Sequence, residues 1–142
     1  MPQQISVFAE NKPGKIERIS GILGRNNINM RAITIADSGE YGIIKILVDR
    51  PADGCSALKA DGVAATLKDI VAVRIDDSPG GLHKASSVLA KNEINVEDAY
   101  GFTIRGSNEA VFVFQVKNIK GTEKILQDAG FKILGDNELY FQ

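Results

Sequence analysis

Two stretches, "ENKPGKIERI" (Glu10–Ile19) and "DDSPGGLHKA" (Asp76–Ala85), hold the residues of this chain best suited to chemistry. Each sets a Pro-Gly pair between a short alternating apolar run and an amphipathic one. The first turn of a helix offers unpaired N–H groups and a partial positive charge, a natural seat for a carboxylate. Gly14 and Gly80 remove the side chain that would block the approach. Lys12 and Lys15 add positive charge beside Pro13-Gly14, whereas Asp76 and Asp77 make the second loop acidic and better suited to an ammonium. A zwitterion needs both. Each charged hydrogen bond contributes about 1.5–3 kcal/mol, so a few of them with apolar contact reach about −8 kcal/mol, micromolar binding. The same residues also read as helix-start chemistry alone, the glycine relieving a tight strand-to-helix turn, and both readings stand at this point. A phosphate loop is a weaker option, because neither stretch has the glycine count or the Lys-Ser/Thr ending it needs.

Other chemistry finds little support. His83 falls on the flank of its helix away from Leu82, Ala85 and Leu89, a surface position with no partner set for a metal. Cys55, the only cysteine, excludes disulfides and paired-cysteine zinc sites and is expected to pack as a small apolar residue. No nucleophile or activated water has a convergent charged set around it, so no catalytic residue, metal or cofactor is assigned. Tyr41, Phe112 and Phe114 read as strand or core residues rather than a base-stacking platform, which would need exposed aromatics in a basic setting.

The elements that must position the loops follow from a repeat. With Pro13 laid on Pro79, Ser20 falls on Ser86, Leu23 on Leu89, Asn26 on Asn92, Ile28 on Ile94 and Asn29 on Asn95. After the first hairpin "GIIKILV" matches "AVFVFQV" and Gly62 matches Gly130, with two residues' difference in a turn. Matches that fall on core, cap and turn positions together point to internal duplication. "ISVFA" alternates as a strand. From Pro13, a residue suited to a first helical turn, Ile16, Ile19, Ile22 and Leu23 have helical spacing, and Asn26-Asn27 supply the exit. "INMRAITIAD", the turn "SGEY" and "GIIKILV" form a hairpin. A helix opened by Pro51 and closed by Gly62, then the strand "VAAT", complete the copy. The second copy reads "IVAVRI", a helix from Pro79, "INVEDAYGFTI", the turn "RGSN", "AVFVFQV", a helix ending before Gly130, and "FKIL".

Each copy is therefore β-α-β-β-α-β, an α+β class in which two ferredoxin-like sandwiches stand in tandem, antiparallel sheets with helices on one face. The expected domains are 1–67 and 68–142, with no flexible spacer because "TLKDIVAVRI" passes almost directly from strand to strand. The closing "NELYFQ" resembles a rearranged protease-tag remnant and is assigned no function. Of the 142 residues, 44% are apolar and 25% charged, enough to bury a core, and the formal charge of −1 argues against nucleic acid or anionic membrane as partner. With one cysteine and no leader-like or membrane-length apolar run, a cytoplasmic location is expected.

These residues resemble the ACT domains, here as a stand-alone tandem pair. The resemblance rests on "NKPGKIERISGILGRNNINMRAI" (Asn11–Ile33) and "DSPGGLHKASSVLAKNEINVEDA" (Asp77–Ala99), each following a strand, and spans nearly the whole chain. It implies a regulatory sensor, not an enzyme, that binds an amino acid or similar metabolite at domain interfaces. The loop after the first strand of each copy would line the site: Asn11, Lys12, Pro13, Gly14 and Lys15, then Asp77, Ser78, Pro79, Gly80 and Gly81. Asn29 and Asn95, which otherwise read as residues turning the chain after a helix, would lie near the ligand. "PGG" in place of "PGK" and the opposite charges mean the two loops need not be equivalent. A homodimer is expected, because small sandwiches leave sheet surface and strand edges for a second chain to cover. A regulated enzyme or other protein is a further expected partner. The alternatives are an assembly module without ligand and, less favoured, a small ferredoxin-like enzyme.

Overall fold

The computed structural model describes residues 1–140, and of Tyr140 only the backbone. Two compact units form: Gln3–Lys68, and Asp69 onward together with Met1–Pro2. The N-terminal pair joins the second unit through the N–H of Ile70, which donates to the carbonyl of Pro2 at 3.1 Å, and through the terminal ammonium, 3.5 Å from Asp136.

The first unit runs β1 (Gln3–Glu10), α1 (Lys15–Arg25), β2 (Met30–Ser38), β3 (Tyr41–Val48), α2 (Pro51–Ala60) and β4 (Ala64–Asp69). Its sheet order is β2-β3-β1-β4, with Ile5 opposite Ile46 and Glu10 opposite Tyr41 in the antiparallel β1–β3 ladder. The period-two pattern turns Ile5, Val7, Ile44, Ile46 and Val48 to one face, where Ile19, Ile22 and Leu23 of α1 and Leu58 of α2 meet them. Each of these fully buried aliphatic side chains contributes about 1.5–3 kcal/mol. Gly54 lets α2 approach the sheet: a Cβ there would lie 2.9 Å from the end of Ile5.

The second unit runs β5 (Val71–Asp76), α3 (Gly81–Lys91), β6 (Asp98–Thr103), β7 (Glu109–Gln115), α4 (Ile119–Asp128) and α5 (Asp136–Tyr140). Its sheet is β5-β7-β6, and Val71, Val73 and Phe114 form a core with Leu89 and Leu126. The class is the α+β class expected, with two antiparallel sheets interleaved with helices. Two details differ. "FKIL" is not a full strand: Ile133 makes a single antiparallel bridge to Val73. Gly130 at φ 93° ends α4 and α5 begins at Asp136, leaving too few residues for a ladder beyond Arg74 N–H to Lys132 and Leu134 N–H to Ala72. In addition β6 starts only at Asp98, since Ile94 and Val96 turn toward the core before the strand begins. Asp136–Tyr140, part of the closing stretch, is helical with Leu139 buried. Phe141 and Gln142 lie outside the described residues.

Helix ends account for the kept Asn26/Asn92, whose side-chain amides donate to the carbonyls of Ile22 and Val88 at 2.8 Å, and for the kept Gly62/Gly130. In α1 the N–H groups of Asn27 and Ile28 reach back to Gly24 and Leu23, and Asn27 adopts φ 57°. Those bonds satisfy carbonyls that the helix leaves open at its C-terminus. The same closure ends the other three long helices at Gly62, Glu93 and Gly130.

Candidate functional site

Pro13 and Pro79 do not occupy the first helical turn as expected. They precede the N-cap glycines, Gly14 at φ 92°, ψ −6° and Gly80 at φ 84°, ψ −4°. These are the angles of the third residue of a type II turn, which takes proline at its second position and glycine at its third. Ser78 and Gly81 close the second turn with a 3.0 Å bond. The glycines are therefore required by backbone geometry in both copies. The turn delivers a helix whose N-cap carries no side-chain hydrogen bond, so the first N–H groups of α1 and α3 have no capping side chain.

Around the first of these turns lies a groove of about 390 Å³. β1 contributes Phe8, Ala9 and Glu10; the turn and α1 contribute Lys12, Pro13, Gly14, Lys15, Arg18 and Ile19; Tyr41 and Gly62–Ala64 complete it. Antiparallel order places the end of β1 beside the starts of β3 and β4, which is why residues so distant in sequence meet. Nothing lies within 4 Å of where a Gly14 Cβ would stand, so the backbone there is open to the groove. Phe8 and Tyr41 stack with ring centroids 4.7 Å apart and stay 52% and 42% exposed. Tyr41 is thus in a strand, as expected, but outside the core. Lys12 sits 3.5 Å from Glu10. Lys15 bonds the Asn11 amide oxygen at 3.0 Å, and Arg18 the carbonyl of Asp61 at 2.6 Å. Both acceptors are neutral, and the lining carries three cationic side chains against one carboxylate.

Of the residues expected at the first loop, Lys12, Pro13, Gly14 and Lys15 line this groove. Asn11 instead ties the loop to the β2–β3 turn, its amide donating to Asp37 and to the carbonyl of Gly39. Asn29 lies at the opposite end of the sheet, its N–H on the Asp49 carboxylate at 3.1 Å, so the first unit by itself does not bring it to the loop. Arg18 follows Lys15 by one helical turn and was legible in the sequence; Phe8, Tyr41 and Gly62–Ala64 carried no local signal.

In the second unit, of Asp77, Ser78, Pro79, Gly80 and Gly81 only Gly81 lines the corresponding hollow of about 260 Å³. Asp76 is paired with Lys84 at 3.8 Å, as Glu10 is with Lys12 at 3.5 Å in the first unit. The Lys132 ammonium, 2.8 Å from Glu138, and the N–H of Gly135 hold the Glu138 carboxyl below the usual carboxylate range. Asn95 borders a different hollow, with Glu93, Glu97 and Lys117. His83 is exposed, 3.2 Å from the Ser87 hydroxyl, and Cys55 is buried. Among the described residues no group of three His, Cys, Asp or Glu is placed to hold a metal, and no helix is long and apolar enough to cross a membrane.

Comparison with known proteins agrees with this architecture. The chain superposes on protein BT0572 of Bacteroides thetaiotaomicron with a TM-score of 0.92 at 28% identity, covering 99% of this chain and 96% of that one. The regulatory subunit of aspartate kinase from Thermus thermophilus matches with a TM-score of 0.66 at 18% identity over 91% and 93% of the two chains. The corresponding subunit from Thermus flavus gives 0.61 at 18% identity over 89% and 91%. At that identity the two kinase subunits share the fold. Among curated proteins none matches in sequence. The family model of the ACT domain pair matches residues 1–141, in keeping with the duplicated strand–turn–helix and its paired sheets: the chain belongs to the ACT domain pair family.

Proposed function

We propose that this protein is a regulatory sensor that binds an amino acid or similar metabolite in the first groove and thereby modulates a partner protein or its own assembly. The observation that carries the reading is the first groove itself, where an uncapped helix N-terminus, an open Gly14 and uncompensated cations converge on one hollow. A carboxylate would take N–H groups of the first turn of α1 together with Lys12 or Lys15, and the Glu10 carboxylate is the acceptor in the lining for an ammonium. The regulatory subunits of aspartate kinase that share this fold support the regulatory part of the reading.

A thermal-shift screen of the free amino acids tests it: a ligand at 100 times its dissociation constant should stabilise the protein by about 2.7 kcal/mol. Silence across the set would sink the sensing reading and favour an assembly module. Because Gly14 and Gly80 both sit at positive φ, a valine there would confound strain with occlusion. Asparagine tolerates left-handed backbone better than other residues. Gly14→Asn is therefore expected to weaken ligand binding at least tenfold with a modest loss of stability, measured by calorimetric titration beside thermal melts.

We also propose a homodimer. Ile33 and Ile35 on the edge strand β2 are 40% and 46% exposed, apolar surface that a second copy would cover. Light scattering is expected to give twice the chain mass of 15.3 kDa; a monomer across micromolar concentrations would count against it.

A further inference from the structure

The two hollows are the same place in the two copies of the repeat, and their linings keep the acid Glu10/Asp76 and the glycine Gly62/Gly130 but differ at other positions. Phe8 and Tyr41, the stacked aromatics of the first, correspond to Arg74 and Glu109, an ion pair at 3.7 Å in the second. The ladder register confirms the correspondence, since Glu10 faces Tyr41 as Asp76 faces Glu109. Arg18 corresponds to Lys84, which faces Asp76, and Ala64 to Lys132, which faces Glu138. Every cation of the second hollow thus has a carboxylate beside it, whereas Lys15 and Arg18 in the first bond only neutral oxygens. The backbone differs as well. Lys15 corresponds to Gly81, where a Cβ would collide with the carbonyl of Asp76, so the second turn is folded down onto its own strand.

We infer that each chain carries one small-molecule site, the first groove, and that it selects a carboxylate bearing an apolar, flat or branched side chain, the matching hollow in the second unit being smaller and lined by ion pairs. The inference rests on the sensing function proposed above and deepens it. Surplus positive charge at the α1 end attracts the carboxylate. The half-exposed Phe8–Tyr41 pair, with Ala9, Val63 and Ala64, offers apolar surface that water covers poorly and an apolar side chain covers well. In the second hollow the same ligand would have to displace paired charges, and the aromatic ring in the lining, Phe131, is partly buried against the core rather than paired with a second exposed ring, so desolvation opposes its entry.

Titration of the uniformly ¹⁵N-labelled chain with L-phenylalanine and L-leucine, and with L-aspartate and L-lysine for contrast, tests this. The apolar pair should shift the amides of Gly14 and Lys15, leave Gly80 and Gly81 in place, and saturate at one ligand per chain by calorimetry. Aspartate and lysine should bind at least tenfold more weakly. The double substitution Phe8→Arg/Tyr41→Glu, which copies the second unit's ion pair into the first, should weaken L-phenylalanine binding at least tenfold with a dispersed spectrum retained. Phe8→Leu should keep binding within a few fold. Saturable shifts at Gly80, two ligands per chain, undiminished binding by the double variant, or preference for aspartate or lysine would overturn the inference. A response at Gly14 confined to polar amino acids would overturn it while leaving the sensing reading intact. No response to any amino acid would remove both.

Discussion

Gly81→Ala should destabilise the second unit by about 3 kcal/mol or more, the upper range for forcing atoms into filled space. The added methyl would overlap the carbonyl of Asp76, a backbone atom that cannot swing aside as a side-chain tip can. Relief requires the strand end, the Ser78–Gly81 turn and the start of α3 to move together. For a domain of this size each kcal/mol lowers the melting temperature by about 4–8 °C, a loss plain in a thermal melt. Lys15→Ala at the matching position of the first copy should stay within about 0.5 kcal/mol, because that side chain is on the surface. Equal, small effects at both positions would show that the second turn is as open as the first and would remove the steric half of the single-site argument.

Phe114→Ala should cost about 3–5 kcal/mol, the range for emptying a buried aromatic position. Phe114 is 1% exposed, packs among Val71, Val73, Leu89 and Leu126, and stacks on Phe112 with centroids 5.2 Å apart. Its removal leaves a cavity between sheet and helices that α3 and α4 cannot close without leaving the sheet. The denaturant midpoint should fall with little change in slope, the sign of lost stability without a changed unfolded state. Phe8→Ala provides the contrast: a half-exposed ring contributes little to folding, so stability should shift by less than about 1 kcal/mol. A small loss at Phe114 would mean that the second core is held elsewhere.

The sequence by itself determined the duplication, the α+β class and the two loops as the places to look. These depend on local periodicity and on turn residues whose backbone needs are met within a few positions: Pro-Gly before a helix, Asn26-Asn27 or a glycine after one. It also showed that "PGG" departs from "PGK". Only the tertiary structure decided what the departure means. The prolines are turn residues one step before the N-cap, because glycine at positive φ must stand between proline and helix. The fourth strand of the second copy shrinks to one bridge, because a helix follows too soon. Asn11 and Asn29, alike in type, part company: one braces the hairpin turn and the other lies at the far end of the sheet. Above all, the groove draws on Phe8, Tyr41 and Gly62–Ala64, which no local pattern connects. Antiparallel order brings the end of one strand beside the starts of two others, and a shared register sets the same two diagonal positions together in each copy, where they hold two aromatic rings in the first and two opposite charges in the second.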